Sequence, residues 1–356
     1  MKGWRKLALV SAASSAAFFA LLWASTFGWN FLAPSYGGGP SRTSPEKLRE
    51  TVSALAAGIG PRDLFNNNKA RLGRAEEYLR GRFRAACCAL EEQEFYAAGV
   101  KVRNFICTKK GFSSPGEIVL VGAHYDTFNN PGADDNASGV AGVLDLAEYA
   151  SGRSYARTIK FAAFANEEPP FFRHEGMGSA VYAAAARKNG DDIRAALILE
   201  MTGYYSDRIF SQRYPPLIGP FLPPKGDFIA QISDFGSRAE ARRIDRAFRA
   251  ASGLPLRTVS LPAWVPGVDF SDHRSFWAQG YPAVMFTDTS FYRTPHYHRP
   301  SDLPETLDYG RMAALQDGLK AALDDLAGVS AGPGMGVKSA SASPAVSPAS
   351  SRPGPL

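Results

Sequence analysis

The chain has 356 residues, which allows one large α/β domain or two smaller ones, with ample core either way. Hydrophobic residues make up 45% and charged residues 21%, a globular composition that excludes a wholly disordered chain. The net charge of +6 is spread along the chain with no basic run interleaved with aromatics, so nucleic acid is not indicated as a partner. The three cysteines, Cys87, Cys88 and Cys107, form no C-x-x-C, which argues against a thiolate zinc site. Either Cys87 or Cys88 could pair with Cys107 in an oxidising compartment; three small buried apolar side chains is the alternative.

In chain order, Lys2, Arg5 and Lys6 precede an uncharged stretch, of which Leu7–Ala33 is long and apolar enough to span a bilayer once. No clean A-x-A exit follows, so residues 1–34 read as a signal anchor in preference to a cleaved signal peptide. Both readings send the rest of the chain out of the cytoplasm. Residues 35–45 are a Gly/Pro/Ser linker. Ser44 and Pro45 read as the N-cap and first residue of a helix, and residues 68–86 as a second helix. Glu91–Phe95 and Val100–Cys107 alternate as paired strands about a turn at Ala97–Gly99. Short apolar runs at Ile118–Ala123, Thr158–Ala165, Ala195–Met201 and Ala283–Thr287 read as buried strands. Helical segments at 136–150, 176–188 and 237–251 lie between them, and Asp308–Ala327 is a last amphipathic helix. This alternation predicts an α/β fold, a three-layer α/β/α sandwich with a mixed, mostly parallel central sheet, spanning residues 46–327. Residues 328–356 are Ala, Ser, Pro and Gly with few charges and read as a disordered tail.

In open α/β sheets ligands gather beyond the carboxyl ends of the strands. After Ile118–Ala123 come His124 and Asp126, then Asp134, Asp135 and Asn136. After Thr158–Ala165 come Glu167 and Glu168; Glu200 closes the next strand; His296 and His298 follow the last. An Asx-type turn capping a helix accounts for Asn136 and Asp135 but leaves His124 and Asp126 unused. Imidazole nitrogens and carboxylate oxygens suit zinc. His124, Asp135, Glu168, Glu200 and His298 are five ligands, enough for two Zn2+ if one carboxylate bridges, and such a pair clamps an attacking water. Glu167 would then be the general base, and Asp126 would hold His124 through its second ring nitrogen. Taken singly, each of these residues has an ordinary surface or loop reading; their joint placement after buried strands carries the inference.

The segments GAHYD, PGADDNASG, NEE, LEM and YHRPSD together resemble the co-catalytic di-zinc exopeptidases of the bacterial leucyl aminopeptidase type, of which glutamate carboxypeptidase II and the glutaminyl cyclases are more distant relatives. The resemblance implies that His124 and Glu200 bind one zinc, Glu168 and His298 the other, and that Asp135 bridges. It implies Glu167 as the proton-transfer residue, Asp126 as the support of His124 and Asp302 as the support of His298. Asp134 becomes a bystander and Asn136 a helix cap. The chain departs from the family in having Val268 where some members place an oxyanion-stabilising Tyr, which leaves His273 or another group for that role. The expected activity is removal of N-terminal residues from peptide substrates, with specificity set by pocket walls within Tyr204–Pro266. The alternatives are a single-zinc glutaminyl-peptide cyclotransferase and a non-catalytic membrane-anchored binding module.

Overall fold

The computed structural model describes residues 12–20, 41–86, 89–214 and 222–329. Residues 12–20 are helical (α1) with exposed side chains. The rest of the expected membrane segment, most of the linker and tail, and Cys87 and Cys88 lie outside the described residues. Among the described residues no helix is long and apolar enough to cross a membrane. Cys107 is disulfide-bonded.

β1 (Ala89–Ala97) and β2 (Val100–Lys109) form the expected hairpin. Its turn residues Ala98 and Gly99 have φ of 48° and 73°, the doubly positive geometry that two-residue hairpin loops favour. β3 (Ser114–His124), β4 (Arg157–Phe164), β5 (Asp192–Glu200) and β8 (Ala283–Thr287) are the four buried strands expected from the apolar runs. They lie side by side and parallel in the order β4-β3-β5-β8. Two further strands, β6 (Ile229–Ser233) and β7 (Leu256–Ser260), were not anticipated. They complete an eight-stranded sheet ordered β1-β2-β4-β3-β5-β8-β6-β7. They escaped notice because one of their faces borders a cavity instead of core. Arg257 therefore stands where a core strand would carry an apolar side chain. β2 runs antiparallel to β4, and β6 to β8, so the sheet is mixed about a parallel centre.

Strand side chains alternate between two apolar layers. Val119 and Val121 of β3, Leu197 and Leu199 of β5, and Phe286 of β8 pack in one layer. The helices that cover it are α2 (Pro45–Ser53), α3 (Lys69–Ala85), α4 (Gly139–Ser151), α6 (Arg238–Ala251) and α8 (Tyr309–Ala327). Leu120 and Ile198 face the other layer, under α5 (Gly178–Asn189) and the short α7 (His273–Ala278). This is the expected three-layer arrangement. Because each fully buried Val, Leu or Phe is worth about 1.5–3 kcal/mol, a one-residue slip of β3 or β5 would exchange both layers, and the register is pinned. That register decides where His124 and Glu200, the last residues of β3 and β5, point.

Local signals place the helix ends. Ser44 accepts the amide of Lys47 with Pro45 at the first helical position. Asp308 accepts the amide of Arg311 at 2.9 Å and starts α8. The end of the linker is docked: the carboxylate of Asp317 on α8 accepts the hydroxyl of Ser41 at 2.7 Å and the amide of Arg42 at 2.9 Å. The helix expected from residue 136 begins at Gly139 instead. The preceding turn, Ala133–Ser138, holds Asp135 and Asn136 in non-helical conformations, and the Asp135–Asn136 peptide is cis.

Candidate metal centre

The parallel strands β4-β3-β5-β8 all end on one edge, and every expected ligand is delivered there. His124 closes β3 and Glu200 closes β5. Glu167 and Glu168 follow β4. Asp135 comes from the turn ahead of α4, and His298 from the loop between β8 and α8. The side chains meet in two groups that share Asp135: His124, Asp135 and Glu200, and Asp135, Glu168 and His298. His124 Nε2 is 3.3 Å from Asp135 Oδ1 and 3.2 Å from Glu200 Oε2. His298 Nε2 is 3.2 Å from Asp135 Oδ2 and 3.0 Å from Glu168 Oε2.

The donor set fits zinc. Zn–N and Zn–O bonds of ~2.0–2.2 Å at tetrahedral angles separate ligand atoms by roughly 3.3–3.5 Å, close to the spacings within each group. Both ring nitrogens of His124, Nε2 of His298 and Oε1 of Glu168 are buried and make no hydrogen bond. Buried polar atoms without partners are costly, and a cation is the partner that satisfies all of them together.

The electrostatics point the same way. Burial pushes the Glu168 carboxyl up to about 8, with the charge of Asp135 adding to it. Burial likewise raises Glu200, and raises Glu167 well above the carboxylate range against the opposing pull of His124. Burial would lower His298, but Asp135 and Glu168 carry it up to about 10. Asp135 is the exception. Burial acts to raise it, but His124 and His298 on either side hold it below the usual range. The cluster thus has more carboxylates than two imidazoles can neutralise, a deficit that divalent ions remove.

Two acids hold the ligand loops by their backbone. Asp126 accepts the amides of Glu167 at 3.0 Å and Glu168 at 3.1 Å, and its Oδ1 lies 3.5 Å from His124 Nδ1. The expected Asp126–His124 contact is therefore present at long range, and the firmer role of Asp126 is to fix the Glu167–Glu168 turn. Asp302 was expected beside His298. It is buried and instead accepts the amides of Asp134 at 2.8 Å and Asp135 at 3.2 Å. Asp134 joins neither ligand group, but it is not idle: its Oδ1 accepts the amide of Gly203 at 2.8 Å. Asn136 caps Gly139 at 3.1 Å as expected and also ties the turn to β5 by donating to Leu199 O at 2.8 Å. Gly139 has to be glycine at that approach, since a Cβ would stand 2.6 Å from Leu199 O.

Arg62 is a residue that sequence reasoning missed. It is fully buried, and its guanidinium donates to the carbonyls of Tyr125 at 2.6 Å, Pro131 at 2.7 Å and Gly132 at 3.0 Å. It joins the segment after His124 to the turn before Asp135. Burial lowers its pKa to about 10, with Asp126 and Asp302 opposing. A lone Arg in Gly-Pro-Arg-Asp carries no local signal of this. Ser271 was also missed: its hydroxyl donates to Glu200 Oε2 at 2.7 Å.

Beside the centre lies a cavity of about 350 Å3 bounded by Glu167, Glu168 and Glu200. Its walls include Tyr214, Phe228, Ile232 and Val259, within the expected 204–266 segment. Val268, which stands at the position of the absent Tyr, lines it. His273 does not take that role. Its Nε2 lies 2.7 Å from Val268 O, its ring meets Trp277 edge-on, and burial lowers its pKa to about 4. His296 pairs with Ser301 in the loop. Tyr297 is one of the hydroxyl-bearing side chains that line the cavity, and the one that adjoins His298 in the chain. Its ring stacks on His298 at 3.7 Å, with Phe128 stacked on the same imidazole at 4.6 Å. Burial, reinforced by Asp135 and Glu168, raises its pKa, so its O–H is retained as a donor. Its signal was adjacency to His298 in YHRPSD.

Fold and site together define a zinc hydrolase. The family model for peptidase family M28 matches residues 104–323, and the chain belongs to that family. It is 36% identical over 290 residues to the uncharacterised protein YfbL of Escherichia coli, covering 79% of this chain and 88% of that one. It is 27% identical over 314 residues to leucine aminopeptidase 1 of Trichophyton equinum, covering 77% and 76%. Among solved structures it resembles an aminopeptidase from Aneurinibacillus sp. strain AM-1, with TM-score 0.61, 17% identity and coverage of 80% and 94%. It also resembles a glutaminyl cyclase from Fimbriiglobus ruber, with TM-score 0.59, 19% identity and coverage of 81% and 98%.

Proposed function

We propose that this protein is a two-zinc aminopeptidase that removes N-terminal residues from peptides outside the cytoplasm. The observation that carries this reading is the division of Asp135: Oδ1 lies 3.3 Å from His124 and Oδ2 3.2 Å from His298, so one carboxylate serves two ligand groups. His124 and Glu200 would hold one ion, Glu168 and His298 the other, and Asp135 both. Bound zinc supplies Lewis acidity, polarising a carbonyl and acidifying water. Glu167 borders both the ligands and the cavity. It takes the proton from the attacking water and returns it to the leaving amine. Asp126 orients the Glu167–Glu168 turn by its two amide contacts and steadies His124. The Tyr297 O–H, in place of the Tyr absent at 268, donates to the oxygen that gains charge. Residues 46–327 form the catalytic domain in this reading, carried across the membrane by residues 1–34, with 328–356 as a tail. A C-terminal reporter active only in the cytoplasm would refute that placement.

A single-zinc glutaminyl-cyclase reading draws on the likeness in fold to such enzymes. His124 stands against it, since a single-zinc site has no need of an imidazole facing Asp135 and Glu200. Metal content and a panel of aminoacyl-nitroanilides, with zinc and with chelator, separate the readings. Two zincs per chain with chelator-sensitive hydrolysis supports the aminopeptidase. One zinc with cyclisation of N-terminal Gln replaces it.

A further inference from the structure

The cavity is floored by β8, β6 and β7, beyond the helices that cover the rest of that face. Strand pairing puts Glu200 opposite Thr287, Thr287 opposite Ala230, and Ala230 opposite Arg257. Paired residues point to the same side of a sheet, and Glu200, Thr287, Ala230 and Arg257 all line the cavity. Three strand spacings separate the ends of this row, roughly 14 Å between backbone positions. The adjacent row, Met285, Ile232 and Val259, is apolar. A metal ligand thus stands at one end and a guanidinium at the other. Between them the small Ala230 leaves room for a side chain.

Arg257 has no structural employment that accounts for it. Its Nε and one terminal nitrogen are buried without a hydrogen-bond partner. Its guanidinium carbon stands 5.8 Å from the Phe228 ring centre, a contact that satisfies none of its N–H groups. Asp227 acts on its charge, yet no ion pair joins the two. A guanidinium presents N–H groups in a fork that matches a carboxylate, and leaving such donors unpaired in a wall is costly.

We propose that this cavity binds a carboxylate of the substrate against Arg257, on an apolar stem lying over Ala230, while the scissile end sits at the metal centre. This rests on the aminopeptidase reading and gives it a substrate class. The carboxylate has two possible sources, the side chain of an N-terminal acidic residue or the C-terminus of a dipeptide.

The test compares kcat/KM ratios within each protein, so that losses of folded enzyme cancel. Glutamyl- against glutaminyl-p-nitroanilide reads the side-chain source. Leu-Ala against Leu-Ala-amide reads the terminal source. In the unaltered protein one ratio should be at least about tenfold. It should fall towards one in Arg257→Met and be partly retained in Arg257→Lys. Both ratios near one in the unaltered protein, or a preference that survives Arg257→Met, overturns the proposal. Calorimetric titration of Glu167→Gln with L-glutamate against L-glutamine, and with Leu-Ala against Leu-Ala-amide, before and after adding Arg257→Met, reads both sources without turnover. Absence of hydrolysis of every reporter overturns the aminopeptidase reading. Arg257 is then judged by the titration alone, where equal affinities within both pairs overturn its role and an Arg257-dependent preference for the free carboxylate in either pair upholds it.

Discussion

The carboxylate of Asp302 accepts the backbone amide of Asp135 at 3.2 Å, and beside it that of Asp134 at 2.8 Å. Asp126 does the same for Glu167 and Glu168. Each acid follows a histidine of the ligand set, Asp126 two residues after His124 and Asp302 four after His298. Each holds the loop that carries a different ligand. Four of the five ligand segments are thereby braced in pairs before any ion arrives, and supporting residues of this kind commonly tune metal affinity by about 10–100-fold. Asp302→Asn leaves one side of its carboxyl unable to accept an amide. Zinc affinity, measured by competition with a chromophoric chelator, should fall by about that factor with the circular dichroism unchanged. Unaltered affinity would mean that the turn holds Asp135 unaided.

Replacing Glu167 by Gln removes the proton acceptor but keeps size and polarity. The turnover number should drop by about 10²–10⁴, while the bound metal, counted by atomic emission, stays as before. Comparable activity in the variant would sink the assignment.

Tyr297→Phe keeps the ring that stacks on His298 and removes only the hydroxyl. Loss of one donor to a developing oxyanion typically costs about 10²–10³ in turnover. The effect should fall on kcat more than on KM. A change confined to KM would make Tyr297 a binding residue.

Arg62→Gln would strip several buried carbonyls of their donor. Each buried acceptor left without its donor costs about 1–3 kcal/mol, readable as a lowered urea midpoint. A midpoint within experimental error of the parent would show that water replaces the guanidinium.

His273 makes stability depend on pH. Burial lowers its pKa from 6.5 to about 4, so between these values the unfolded chain binds the proton and the folded chain does not. The stability owed to neutral His273 is present above the unfolded pKa and lost as pH falls towards 4. The shift corresponds to roughly 3 kcal/mol. Urea titrations at pH 7 and pH 5 should show a larger loss in the parent than in His273→Gln. Equal losses would exclude it.

Much of this was legible because apolar runs and ligand residues are contiguous. His124 and Glu200 end buried strands, so a reading of strand ends finds them, and GADDNASG carries its own turn chemistry. What escaped is what works at a distance. Arg62 binds carbonyls more than sixty residues away. The two amides held by Asp302 lie far before it in the chain, so its partner was misjudged as His298. β6 and β7 failed the apolar-run test because they floor a cavity, and Arg257 went unremarked with them. Val268 marked a missing Tyr, but only the stacked geometry at His298 supplied Tyr297 as a substitute.

The sequence by itself determined the α/β class, the peptidase family and which acids and histidines converge at the sheet edge. Hydrophobic periodicity and local loop chemistry act over a few residues, and the signal survives in one dimension. Tertiary structure alone decided that Asp135 divides its oxygens between two imidazoles, that the ligand loops brace one another, and that Arg257 faces Glu200 across a row of paired strands. These depend on strand order and register, set by burial summed over the whole sheet and carried by no segment alone.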